Sequence, residues 1–218
     1  MSKEIAFVIL IGGMSKRFGI DKGLMKISGK SFIEHQVRIL EKFSKKIFLS
    51  AHDENQIQEY KDALELFDNI SFILDDTDDK LNTKRIRGPL LGIYSALKYL
   101  RKTNLKKAFI ISCDLPLIKS VVIELMLNEC INFDCCIPQW GNGYLEPLFA
   151  IYPIEKGYLM AKQNLRLKIL RLRKLVNKDW KINFVSIENK IKKFDNELTT
   201  FYNINKEEDL KKLKTKLS

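Results

Sequence analysis

The alternation of strand-like and helix-like segments predicts an α/β protein, a single domain with a mostly parallel sheet and helices on both faces. Three observations support this. Ile5–Ile11 is a continuous apolar run, as expected of a strand buried on both sides. Similar runs recur at Lys46–Ala51, Ile70–Leu74 and Ala108–Ser112, separated by helix-length segments. Their carboxyl ends carry Gly12-Gly13, Ser50, Asp76 and Asp114. Sites in parallel sheets gather beyond those ends.

The elements follow in order. Ser31 and Glu34 form an S-x-x-E capping box, which predicts a helix running to about Phe43. Asn55–Phe67 reads as a second helix. After Asp75-Asp76 a polar loop runs to Arg87, and Pro89 suits the first turn of the helix GPLLGIYSALKYL. Pro116 stops the strand that ends at Cys113-Asp114, and a helix follows from Val121 to Asn128. Two strands flank Trp140-Gly-Asn-Gly143. A long helix is expected over Glu155–Val176, a strand over Ile182–Ser186 and a last helix over Glu207–Leu217. No repeat or composition break divides the 218 residues.

A chain of this length buries a core without disulfides or structural metal. It has no apolar run of bilayer length, and its start does not read as a signal peptide, so a cytoplasmic protein without membrane contact is expected. Four cysteines without a C-x-x-C pair read as reduced buried thiols rather than a zinc site. The net charge of +11 is uneven: residues 1–150 carry +2 and residues 151–218 carry +9. That asymmetry fits an anionic partner and fits solvated helix faces equally well.

The loop after the first strand holds most of the chemistry. Gly12-Gly13 lets backbone approach a ligand, and N–H groups there can hold phosphate oxygens. The pattern is neither a P-loop, because Gly19 is followed by Ile20, nor G-x-G-x-x-G. Arg17 can grip a phosphate bidentately, and Lys22 can act as a point charge on a triphosphate. Lys16 and Lys26 read as solvated. Asp114 at a strand end is enough for Mg²⁺, which takes few carboxylates besides phosphates and water, although Asp-x-Pro also caps turns.

LIGGMSKRFGIDK, Leu10–Lys22, resembles L-x-G-G-x-S-x-R-x-G-x-x-K, the signature of nucleotidyltransferases with a glycosyltransferase-A-like fold. KGLMKISGKSFIEH (Lys22–His35), GPLLGI (Gly88–Ile93), CDLP (Cys113–Pro116) and FYNINKEEDL (Phe201–Leu210) resemble the molybdenum cofactor guanylyltransferase branch, the MobA-type proteins. The resemblance covers nearly the whole chain. It implies a Rossmann-like, nucleotide-diphospho-sugar transferase architecture, with a nucleotide part over 1–115 and an acceptor part over 116–218. It implies that Leu10, Ile11, Gly12 and Gly13 cradle the nucleotide, that Arg17 and Lys22 meet its phosphates, and that Asp114 holds Mg²⁺. Ser50 stands where the family usually places an asparagine near guanine. Asp76, or Asp75 beside it, matches an aspartate that helps hold the nucleotide. Glu146, Arg166 and Asn203 fall on the acceptor side.

Each of these last three also has a plain reading. Glu146 suits a solvated strand position, and the Asn203–Asn205 segment suits a turn and N-cap. In Lys162–Lys174, Leu165, Ile169, Leu172 and Val176 form a core stripe, with Lys162, Arg166 and Arg173 on another face. His35 and His52 read as structural. The implied reaction moves GMP from GTP to molybdopterin with release of pyrophosphate, in a monomer that touches molybdoenzymes or their chaperones transiently. A cytidylyl or sugar-phosphate transferase on the same scaffold is the first rival. A basic nucleic-acid-binding module over 151–218 is the second, and a helix without interleaved aromatics argues against it.

Overall fold

The computed structural model describes residues 4–12, 21–64, 70–76, 86–204 and 209. Its main sheet has seven strands. They are β1 (Ile5–Leu10), β4 (Ile47–Ala51), β5 (Ile70–Leu74), β6 (Lys107–Ser112), β7 (Cys135–Gln139), β8 (Phe149–Pro153) and β9 (Ile182–Ser186). Between β1 and β4 a two-residue hairpin pairs β2 (Lys26–Ile27) with β3 (Lys30–Ser31). The strand order is β5-β4-β1-β6-β8-β7-β9. Only β8 is antiparallel to its neighbours, β6 and β7, so the other six strands run in one direction.

All six residues of β1 are buried. Phe7 and Ile9 enter one core, while Ala6, Val8 and Leu10 enter the other. This is the period-two alternation of a strand covered on both faces. The first core packs under α1 (Phe32–Leu40), α2 (Glu54–Ala63) and α4 (Ser120–Glu129); the second packs under α3 (Pro89–Leu100) and α5 (Ile154–Arg166). The expected capping box is complete: Ser31 Oγ accepts from Glu34 N at 3.2 Å, and Glu34 Oε2 accepts from Ser31 N at 2.6 Å.

Three expectations are corrected. The short hairpin β2–β3 was not anticipated. Its turn residues Ser28 and Gly29 both have positive φ, 49° and 83°, as the tightest hairpin turns require. The second helix ends at Ala63, with Leu64 already extended. The helix expected to reach Val176 stops at Arg166. Lys168 turns left-handed at φ 57°, and Ile169 N donates to Asn164 O at 2.8 Å. The Asn164 amide, itself buried, donates to Lys174 O at 2.9 Å and ties the loop back. The stripe therefore breaks: Leu165 is buried, Leu172 and Val176 pack on the core from beyond the loop, and Ile169 is exposed. The last expected helix, Glu207–Leu217, lies outside the described residues apart from Asp209.

Candidate active site

The carboxyl ends of β1, β4, β5, β6 and β7 form one rim. Gly12, His52, Asp75-Asp76, Asp114 and Trp140 follow those strands, so the topology alone brings them together. Leu10 and Ile11 are buried at the end of β1. The N–H groups of Ile11 and Gly12 both donate to Ser50 O at 3.0 Å. These amides close the β1–β4 seam, while the carbonyls of Leu10 and Ile11 accept from Cys113 N at 3.2 Å and Gln56 Nε2 at 2.9 Å. A Cβ on Gly12 would lie 3.4 Å from His52 N.

Lys22 opens a single 3₁₀ turn capped by Asp21. Gly23 N donates to Asp21 Oδ1 at 3.1 Å. The Tyr60 hydroxyl donates to the same oxygen, and Gln56 Nε2 donates to Oδ2. Near this turn lies the buried Cys113 thiol. Burial pushes its pKa well up, Asp114 and Asp21 add to the rise, and Lys22 opposes it. Lys22, Asp21 and Asp114 therefore act on one spot at the ends of β1 and β6.

Asp114 follows β6 and is half-buried. Its backbone carbonyl accepts from Ile204 N at 3.1 Å. Its carboxylate makes no hydrogen bond or ion pair among the described residues, so it does not cap the turn before Pro116. Glu146 faces it. Burial raises the Glu146 carboxyl above its ordinary range, the Trp140 indole opposes that rise, and repulsion from Asp114 adds to it. Trp140 Nε1 donates to Glu146 Oε1 at 2.6 Å. The solvated reading of Glu146 therefore fails: the side chain is half-buried and held by Trp140. A carboxylate with unused oxygens beside a second one suits a hard cation that also takes phosphate and water oxygens.

Two neighbouring aspartates differ sharply. Asp76 pairs with Lys98 of α3, and its N–H donates to Ser95 Oγ at 2.8 Å. Asp75 is turned inward, and its Oδ1 is buried without a hydrogen-bond partner. Burial raises its carboxyl to about 6, against the lowering effect of His52, Arg87 and the Ser95 hydroxyl. Ser50 is also buried, and its hydroxyl points at Gly92 O, 3.4 Å away. Gly92 sits where α3 meets the strand ends. A Cβ there would lie 3.4 Å from both Leu10 Cδ2 and Ser50 Oγ, and 3.7 Å from Asp75 Oδ1. Leu10, Ser50, Asp75 and Gly92 thus pack together at one point of the rim.

Arg166 is exposed at the end of α5, the helix paired with α3. Asn203 is exposed next to Ile204, whose N–H holds the Asp114 backbone. Gly13, Arg17 and Asn205 lie outside the described residues. His35 is structural, with Nε2 2.9 Å from Ile27 O. A separate cavity of about 370 Å³ lies at the opposite rim beside Ile5, Phe43 and Lys107. Its Lys107 ammonium is committed to the carbonyls of Cys130 and Phe133, at 2.6 and 2.7 Å.

Residues 7–179 match the model of the MobA-like NTP transferase domain. The chain belongs to the MobA-like NTP transferase family. A protein of Thermococcus sibiricus named "Probable molybdenum cofactor guanylyltransferase" is 32% identical, covering 95% of this chain and 96% of its own. One of the same name from Methanosarcina mazei is 28% identical, over 94% and 88%. Among solved structures, molybdopterin-guanine dinucleotide biosynthesis protein A from Archaeoglobus fulgidus superposes with a TM-score of 0.74 at 26% identity, covering 97% and 98%. The sheet is thus that of the nucleotide-diphospho-sugar transferase-like folds. In this MobA-like chain the rim carries Lys22, Asp75, Asp114 and Glu146, side chains from four segments far apart in sequence. Sequence reasoning passed over Asp21, Gln56 and Tyr60. The one available signal was a glutamine on the buried face of α2, beside Ile57 and Tyr60.

Proposed function

We propose that the protein is a magnesium-dependent molybdenum cofactor guanylyltransferase that moves GMP from GTP to molybdopterin. The observation that supports this best is the convergence of a cation, a carboxylate with one buried, unpartnered oxygen and a rim carboxylate without a hydrogen bond or ion pair among the described residues, at one set of strand ends in a chain of the MobA-like family. A terminal phosphate oxygen of the acceptor attacks the α-phosphorus of GTP. The P–O bond to the β-phosphate breaks, and pyrophosphate leaves with that oxygen. Such a transfer asks for alignment and charge neutralisation rather than a protein nucleophile.

In this reading Lys22, with Arg17, binds the β- and γ-phosphates and offsets charge on the leaving pyrophosphate. Asp75, rather than the Lys98-bound Asp76, accepts from the guanine N1–H and exocyclic amine, with Ser50 and Gly92 packed beside it. Asp114 would hold Mg²⁺, with Glu146 close by, and the ion when bound supplies positive charge at the phosphate oxygens. Asn203 and Glu146 face the acceptor, and Arg166 stands farther out for its phosphate. Residues 1–115 serve the nucleotide and residues 116–218 the acceptor. Four buried thiols without a disulfide agree with a cytoplasmic enzyme. Among the described residues no helix is long and apolar enough to cross a membrane.

The test is pyrophosphate release with molybdopterin and Mg²⁺, comparing GTP, CTP, ATP and UTP. Release with GTP alone is expected. Release with CTP instead would move the protein to cytidylyl transfer, and release with none would remove molybdopterin as the acceptor.

A further inference from the structure

Gln56 is 2% exposed on a helix that otherwise anchors through Ile57 and Tyr60. Its amide uses its full hydrogen-bonding capacity, two donors and two lone pairs. Nε2 donates to Ile11 O at 2.9 Å and to Asp21 Oδ2. Oε1 accepts from His52 N at 2.9 Å and faces His52 Nδ1 at 2.7 Å. The partners fix the amide orientation, because the flipped form would set Oε1 against a carbonyl and a carboxylate. One side chain thus joins the end of β1, the turn after β4 and the Lys22 turn.

The Lys22 turn is held on both sides. Asp21 takes donors from Gln56, Tyr60 and Gly23 N. Gly23 packs against the Tyr60 hydroxyl so closely that a Cβ would collide with it, and would also lie 2.9 Å from Ile33 Cγ1. Lys22 sits between these two residues. A lysine stem carries about 2 kcal/mol of rotamer freedom, so a fixed Cα reduces what must be ordered when a triphosphate arrives. Anchoring α2 alone would need only an apolar side chain, and a buried amide with four polar partners is a costly substitute.

We propose that Gln56, assisted by Tyr60, is a positioning residue for nucleotide binding: it locks the Asp21-Lys22-Gly23 turn to the end of β1 and so sets Lys22 at the phosphate site. This rests on the reading of Lys22 as a phosphate-binding residue. Gln56→Glu keeps the size and the acceptor toward His52, but it turns an oxygen onto Ile11 O and the Asp21 carboxylate.

The experiment is a double-mutant cycle on the Kd of GTP with Mg²⁺, using wild type, Gln56→Glu, Lys22→Ala and the double variant. Each single change is expected to weaken GTP roughly tenfold or more, with the double variant within about twofold of Lys22→Ala alone. Wild-type affinity in Gln56→Glu overturns the proposal. So do losses that multiply in the double variant, because Gln56 would then act without Lys22, whose own role would stand. Wild-type affinity in Lys22→Ala removes the phosphate-binding reading instead, and the proposal falls with it. If Gln56→Glu does not fold, Tyr60→Phe deletes one donor to Asp21 and enters the same cycle, with an expected loss of roughly fivefold.

Discussion

Asp75 and Asp76 show how much a single residue's surroundings decide. Asp76 is paired with Lys98, whereas Asp75 holds a buried oxygen with no partner. An acid whose pKa is raised on folding keeps its proton more tightly when folded. Its contribution to stability is therefore most favourable below about pH 4 and is lost as pH rises to about 6. A rise of that size corresponds to about 3 kcal/mol at most. Asp75→Asn should match wild type near pH 4 and be more stable than it above pH 6, which urea midpoints across that range would read. The same variant should lose GTP affinity at least tenfold relative to ATP, since an amide offers the guanine donors one acceptor and one clashing donor. Equal preference would remove Asp75 from base recognition. At the proposed metal position, Asp114→Ala should fold normally and lose turnover by roughly a hundredfold or more. Retained turnover in this variant would sink the assignment.

At the scale of the element, the end of α5 is decided by one amide. The segment after Arg166 is rich in leucine, lysine and arginine, all good helix formers, so local propensity favours continuation. Asn164 diverts it, because its buried side chain satisfies a carbonyl ten residues on. Asn164→Ala should leave Lys174 O unpaired and cost about 1–3 kcal/mol, read as a lowered denaturation midpoint. An unchanged midpoint would show that the loop holds without that bond. By contrast, α1 was legible from Ser31 and Glu34, because a capping box is a contact between residues three apart and needs no tertiary partner. The β2–β3 hairpin was missed because two-residue strands leave no periodic pattern.

The whole molecule joins an almost neutral stretch, residues 1–150, to a shorter one, residues 151–218, that carries most of a net charge of +11. If the anion it serves is a nucleotide, GTP should stabilise the fold by mass action, by about 2.7 kcal/mol at a hundred times its Kd. Melting temperature should then rise with GTP in wild type and rise much less in Lys22→Ala. A comparable rise with an oligonucleotide, lost steeply with salt, would revive the nucleic-acid reading. The sequence by itself determined the seven strands of the main sheet, most helices and the family, and it named Lys22 and Asp114 as candidates, because apolar period and a strand-end signature are local in the chain. Only the tertiary structure separated Asp75 from Asp76, held Glu146 against Trp140 and tied Gln56 to Asp21. Burial and hydrogen-bond partners depend on which segments meet at the sheet rim, and Gln56 and Asp21 stand 35 positions apart in the chain.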